Sequence, residues 1–163
     1  MIDDSNKNDN SICRSTFPVE TNRVTEHTRK ESKMHKQVRV LVVDDEPRIC
    51  RLILDVLVQE GYMVEVSFSG ADALQLISKY NYHLLITDLE MPGIDGLELI
   101  KKVKKRDPDI RAIMITGNEI DDVAAWSLRY GIDNYMKKPF NIMKLKRVVK
   151  QTLCTHKIVL EKM

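Results

Sequence analysis

From residue 38 the chain alternates short, unbroken apolar runs with longer stretches in which apolar residues recur three and four positions apart. The runs include Val40-Leu41-Val42-Val43, Leu84-Leu85-Ile86, Ile113-Met114-Ile115 and Tyr135-Met136. Unbroken runs of this kind suit strands covered on both faces, as in a parallel sheet. The pattern predicts strands at 38–43, 63–67, 83–87, 112–115 and 134–136, and helices at about 47–60, 70–80, 95–106 and 120–130, with a last helix starting at 140 or 141. Pro47 fits a first helical turn, and Gly61 fits the position just past an end. The inward faces are expected to carry Ile49, Leu52, Ile53, Val56 and Leu57; Ala73, Leu74 and Ile77; Leu97, Ile100 and Val103; and Ile142, Leu145, Val148, Val149 and Leu153. Five βα units with short connections imply an α/β fold, a parallel sheet with helices on both faces.

Residues 1–37 have a different composition, rich in Asn, Ser, Thr, Lys, Arg and Glu with isolated apolar residues. Such a segment buries too little apolar surface to offset its conformational entropy and is predicted to be a disordered polar extension. Its Arg29, Lys30, Lys33 and Lys36 read as solvated charge. One folded domain is expected over 38–155, followed by a tail or helix extension at 156–163. The 163 residues, 43% of them apolar, suffice for one core. The formal charge of +2 carries no bulk argument for nucleic acid or membrane. Cys13, Cys50 and Cys154 show no metal or disulfide spacing, and no apolar run approaches the roughly 18 residues of a membrane span. A soluble, cytoplasmic protein is expected.

The apolar runs stop abruptly at polar residues: Asp44-Asp45, Asp88, Thr116 and Lys138. Ligands of open α/β sheets bind outside the carboxyl ends of the strands, so these side chains would share one crevice. Mg2+ takes oxygen ligands in an octahedral shell and keeps several waters, which suits two or three carboxylates and a carbonyl. A carboxylate there can attack phosphorus to form an aspartyl phosphate, and a lysine and a hydroxyl can neutralise the phosphoryl oxygens. Each residue also has an ordinary role. Asp44 or Asp45 before Pro47 could cap a helix, Asp88 could serve a turn, Thr116 could cap locally, and Lys138 could form a surface ion pair. Those roles leave unexplained why all five lie at the same end of successive apolar runs.

The segments Val-Val-Asp-Asp-Glu-Pro (42–47), Ile-Thr-Asp-Leu-Glu-Met-Pro-Gly-Ile-Asp-Gly (86–96), Ile-Thr-Gly (115–117) and Tyr-Met-Lys-Lys-Pro-Phe (135–140) resemble, in order and spacing, the receiver domain of bacterial two-component response regulators. The resemblance runs from about Val38 to Leu153. It implies a flavodoxin-like (βα)5 fold with strand order 2-1-3-4-5. It implies that Asp88 accepts a phosphoryl group, and that Asp44, Asp45, Asp88 and the backbone carbonyl of Glu90 hold Mg2+, for which Mn2+ could substitute. Lys138 would contact the phosphoryl oxygens, with Lys137 an exposed neighbour, and the Lys138–Pro139 bond is cis in similar proteins. Thr116 and Tyr135 fill the switch positions, acting on a face built from the fourth helix, fifth strand and last helix. Glu90 and Asn118 stand where related domains vary.

The expected function is therefore a phosphorylation-activated switch. A sensor histidine kinase or phosphotransfer protein supplies the group, a downstream protein binds the switching face, and a homodimer can form on phosphorylation. Apart from its own phosphorylation and dephosphorylation it is not expected to be an enzyme. No further domain is expected after the last helix, and the absence of helix-turn-helix or Walker patterns argues against DNA binding or ATPase output. The alternative is a small aspartyl-nucleophile phosphatase of the haloacid-dehalogenase type, which Asp88-Leu89-Glu90 resembles faintly. An FMN binder is rejected because Asp44-Asp45-Glu46 would repel the phosphate. Lys101-Lys102-Val103-Lys104-Lys105-Arg106 reads as a solvated helix end, Trp126 as a partly buried packing residue, and Met91 and Met114 as packing.

Overall fold

The structure, a computed structural model, describes residues 38–118 and 123–160, with Val123 and residues 155–160 described by backbone alone. The predicted extension at 1–37 and the expected first turn of the fourth helix at 120–122 lie outside the described residues. The same holds for the end of the predicted tail.

Among the described residues, five strands, β1 (Arg39–Val43), β2 (Met63–Ser67), β3 (Leu84–Asp88), β4 (Arg111–Thr116) and β5 (Asn134–Lys137), form one sheet. All neighbours are parallel, in the expected order β2-β1-β3-β4-β5. It is covered by the helices α1 (Pro47–Gln59), α2 (Gly70–Lys79), α3 (Gly96–Arg106), α4 (Val123–Tyr130) and α5 (Ile142–Leu160). Alternate strand residues face opposite sides and build two cores. Val40, Val42, Ile86, Ile113, Ile115 and Met136 pack under α1 and α5, whereas Leu41, Val43, Leu85 and Met114 pack under α2, α3 and part of α4.

The helix starts are set by capping side chains. Ser69 Oγ accepts the Asp72 N–H at 3.1 Å, Asp95 Oδ1 accepts the Glu98 N–H at 2.8 Å, and Asn141 Oδ1 accepts the Lys144 N–H at 2.7 Å. Asp95 therefore caps α3 rather than opening it, and α5 begins after Asn141. Other corrections concern phase. In α1 the buried stripe is Cys50, Ile53, Val56 and Leu57; Leu52, expected inside, is exposed. Spacings of three and four put Cys50 on that stripe and turn Leu52 to its edge. In α3 the fully buried residues include Leu99, which the prediction missed, while Leu97 is half-buried. Ile142, also expected inside, is exposed at the first residue of α5.

β3 and β4 run one residue further than predicted at their carboxyl ends. Asp88 pairs in register with Ile115, and the Leu89 N–H donates to the Ile115 carbonyl at 3.0 Å, so the ladder carries Asp88 and Thr116 as strand residues. The chain leaves β1 for α1 on one face and leaves β3 for α3 on the other. These neighbouring strands thus part at their carboxyl ends, and a crevice opens between them. α3 approaches it closely: a Cβ on Gly96 would lie 2.0 Å from the Asp88 carbonyl oxygen.

Candidate functional site

Asp44 and Asp45 follow β1, and Asp88 ends β3. One carboxylate oxygen from each lies within 4.8 Å of those of the other two. Asp44 is 1% exposed and Asp88 7%, whereas Asp45 is open to solvent. Three carboxylates so close repel one another unless a cation stands among them, and their hard oxygens suit a divalent metal. The arrangement can therefore hold such an ion.

Lys138 supplies positive charge from the other side. It follows β5, whose Lys137 pairs in register with Thr116, and its own N–H donates to the Thr116 carbonyl at 2.7 Å. Its Nζ lies 2.8 Å from Asp44 Oδ2, 3.1 Å from Asp88 Oδ2 and 3.4 Å from Glu46 Oε1. The peptide bond between Lys138 and Pro139 is cis. Lys137, expected to be exposed, is half-buried as the last residue of the strand.

Burial alone would lower the Lys138 pKa. The hydrogen bonds and charges of Asp44 and Asp88 outweigh it and hold the ammonium above the ordinary lysine range. Asp44 moves up as well. Its desolvation exceeds the combined pull of Lys138 and of the Glu46 N–H, which donates to Asp44 Oδ1 at 2.8 Å, and Asp88 adds repulsion. Behind this carboxylate sits the buried Cys50 thiol, 3.3 Å from the Asp44 carbonyl oxygen. Desolvation, then the Asp44 charge, pushes the thiol up to about 11.

Thr116 is fully buried at the end of β4, and its Oγ1 accepts the Asn118 N–H at 3.1 Å. The Asn118 side chain donates to the Glu90 carboxylate, joining the loops that follow β4 and β3. Tyr135 is half-buried in β5 and pairs in register with Met114, so it lies on the α2–α4 side of the sheet. On that side Trp126 is half-buried, edge-on to Tyr130 with ring centroids 5.7 Å apart. Met91 and Met114 are both core.

The structure thus gathers Asp44, Asp45, Asp88 and Lys138 at one rim, with Thr116 and Glu90 on the adjoining strand and loop. The sequence reading missed two side-chain contacts, Glu46 to Lys138 and Glu90 to Asn118. The run Asp44-Asp45-Glu46 signalled acidity but not which acid the lysine would reach.

Residues 40–150 match the family described as the response regulator receiver domain. The chain is 33% identical over 115 residues to sporulation initiation phosphotransferase F of Bacillus subtilis, covering 71% of this chain and 93% of that protein. It is 34% identical over 108 residues to the transcriptional regulatory protein TrcR of Mycobacterium tuberculosis, covering 66% of this chain and 42% of the regulator. The chain therefore spans less than half the length of that relative. Among solved structures, the response regulator TrrA of Thermotoga maritima, in complex with Mg2+ and BeF, superposes with a TM-score of 0.64 at 39% identity, over 72% of this chain and all of that one. These matches disfavour the haloacid-dehalogenase alternative. Sequence, strand order and site geometry agree: the chain belongs to the receiver-domain family of two-component response regulators.

Proposed function

We propose that Asp88 accepts a phosphoryl group from a sensor histidine kinase or phosphotransfer protein. A carboxylate oxygen of Asp88 attacks phosphorus, the bond from phosphorus to the donor imidazole nitrogen breaks, and that nitrogen keeps the electron pair and takes up a proton. The observation that carries this reading is the Lys138 ammonium poised 3.1 Å from Asp88 and 2.8 Å from Asp44, beside three clustered carboxylates. Asp44, Asp45, Asp88 and the Glu90 carbonyl hold Mg2+ or Mn2+, which neutralises charge on the transferring oxygens when bound. Lys138 balances the remaining charge from the β5 side.

On phosphorylation the Thr116 hydroxyl exchanges its contact with Asn118 for the phosphoryl group, and Tyr135 follows it inward. The new charge-assisted bonds bias a two-state element and alter the α4-β5-α5 face, which binds a downstream protein or a second copy. The domain comprises 38–155 and works in the cytoplasm. Among the described residues, no helix is long and apolar enough to cross a membrane.

The test is incubation with acetyl phosphate and Mg2+, followed by intact mass. Wild type gains one hydroxylamine-labile phosphoryl group and Asp88→Asn gains none. A comparable hydroxylamine-resistant adduct on the variant would remove the reading.

A further inference from the structure

We infer that Glu46 is a resident counter-anion for Lys138, a positioning residue that must yield when a phosphoryl group arrives. The inference rests on the reading of Asp88 as acceptor. An ammonium group has three donors, and here they face three carboxylates: Asp44, Asp88 and Glu46. Phosphorylation adds oxygens that need the same ammonium, so one present partner has to let go.

Burial decides which one. Asp44 is 1% exposed, and losing Lys138 would strand a desolvated charge. Asp88 carries the incoming group itself. The Glu46 side chain is 63% exposed, so water can replace the bond it gives up. Glu46 is also the residue capping α1, yet its side chain makes no capping hydrogen bond and reaches Lys138 instead. The other glutamate of the rim, Glu90, is held by Asn118.

Glu46 thus keeps the lysine extended over the crevice in the unmodified protein and competes with the phosphoryl group for it. Removing that competitor strengthens phosphoryl binding, by about two- to fivefold on the scale of an exposed ion pair.

The experiment is titration of the whole chain with Mg2+ and beryllium fluoride, an anionic stand-in for the phosphoryl group, for wild type, Glu46→Gln and Glu46→Asp. Aspartate is one methylene shorter and well suited to cap α1, so it keeps the rim charge but not the contact with Lys138. Both variants are expected to bind about two- to fivefold more tightly than wild type at low salt. They should converge with it at about 1 M salt, where charges are screened within about 3 Å. Unchanged or weaker binding by Glu46→Gln overturns the inference. So does an aspartate variant that behaves like wild type, because the effect would then belong to rim charge rather than to the lysine. Thermal unfolding without ligand verifies that each variant is folded. If wild type takes up neither the analogue nor a phosphoryl group, the acceptor reading fails; if it takes up both and the variants match it, only the role of Glu46 fails.

Discussion

The two ends of the same sheet treat charge in opposite ways. At the amino end, where β4 begins and β5 is approached, Asp133 is shared by Arg111 at 2.5 Å and Lys104 at 3.2 Å and also accepts the Ala112 N–H at 2.8 Å. Nearby, Arg39 pairs with Glu65 at 2.9 Å and lies over the rings of Tyr80 and Tyr82. Asp133 and Glu65 thus each have at least one cation. At the carboxyl end the ratio reverses: Lys138 faces three carboxylates, those of Asp44, Asp88 and Glu46, with Asp45 beside them. Asp133 and Glu65 are balanced within the chain, while the acidic cluster at the other end keeps surplus negative charge that could hold a metal ion. A protein gains little stability from such an excess, so its presence marks a candidate functional site.

The largest expected effect comes from breaking the balanced end. Asp133→Ala leaves Arg111 and Lys104 without their shared acid and the Ala112 N–H without its acceptor. It should lower unfolding free energy by about 2–3 kcal/mol, discounted from the cost of breaking a fully buried pair. Urea denaturation monitored by circular dichroism measures this; a loss below about 0.5 kcal/mol would show that the pairing there matters no more than an ordinary surface contact.

A smaller effect sharpens the other side of the contrast. Divalent metal should stabilise the acidic end because it binds the folded arrangement alone, by about 1.4 kcal/mol at ten times its dissociation constant. Thermal unfolding with Mg2+ against EDTA should show a rise of several degrees, reduced in Asp45→Ala. An equal rise in the variant would remove Asp45 from the ligand set.

The smallest effect concerns the thiols. The Cys50 value of about 11 exceeds its ordinary 9.0, because burial and the adjacent Asp44 charge oppose the thiolate. A raised value means that this group's contribution to stability is complete below pH 9 and is lost as pH rises through about 11. At pH 8 iodoacetamide should therefore label the exposed Cys154 in the folded protein and reach Cys50 only in denaturant. Peptide mapping distinguishes Cys50 from Cys154 and from the chain's third cysteine, Cys13, and rapid native labelling of Cys50 would contradict the burial described behind Asp44.

Most of the framework was legible in the primary structure because parallel strands buried on both faces leave unbroken apolar runs. Asp88 and Lys138 stood out because each terminates such a run. Helix phase was less legible: Cys50 and Leu52 are both apolar enough to be candidates, and only the packing of α1 beneath α5 and the sheet selects between them. Pairs that join distant elements were not legible at all. Glu46 meets a lysine 92 residues away, and Glu90 meets Asn118 across two loops. Such contacts depend on strand register and loop path, which carry no local periodic signal. The Arg111–Asp133 pair escaped notice for the same reason, since Arg111 opens β4 while Asp133 precedes β5.

Gly96 gives the fold one further consequence. With no room for even a methyl group against the Asp88 carbonyl oxygen, this position couples helix placement to the geometry of the strand that carries the proposed acceptor. An alanine introduced there would act as a wedge, tilting α3 outward or displacing Asp88, and so would impair the proposed phosphoryl transfer without altering any residue assigned to it.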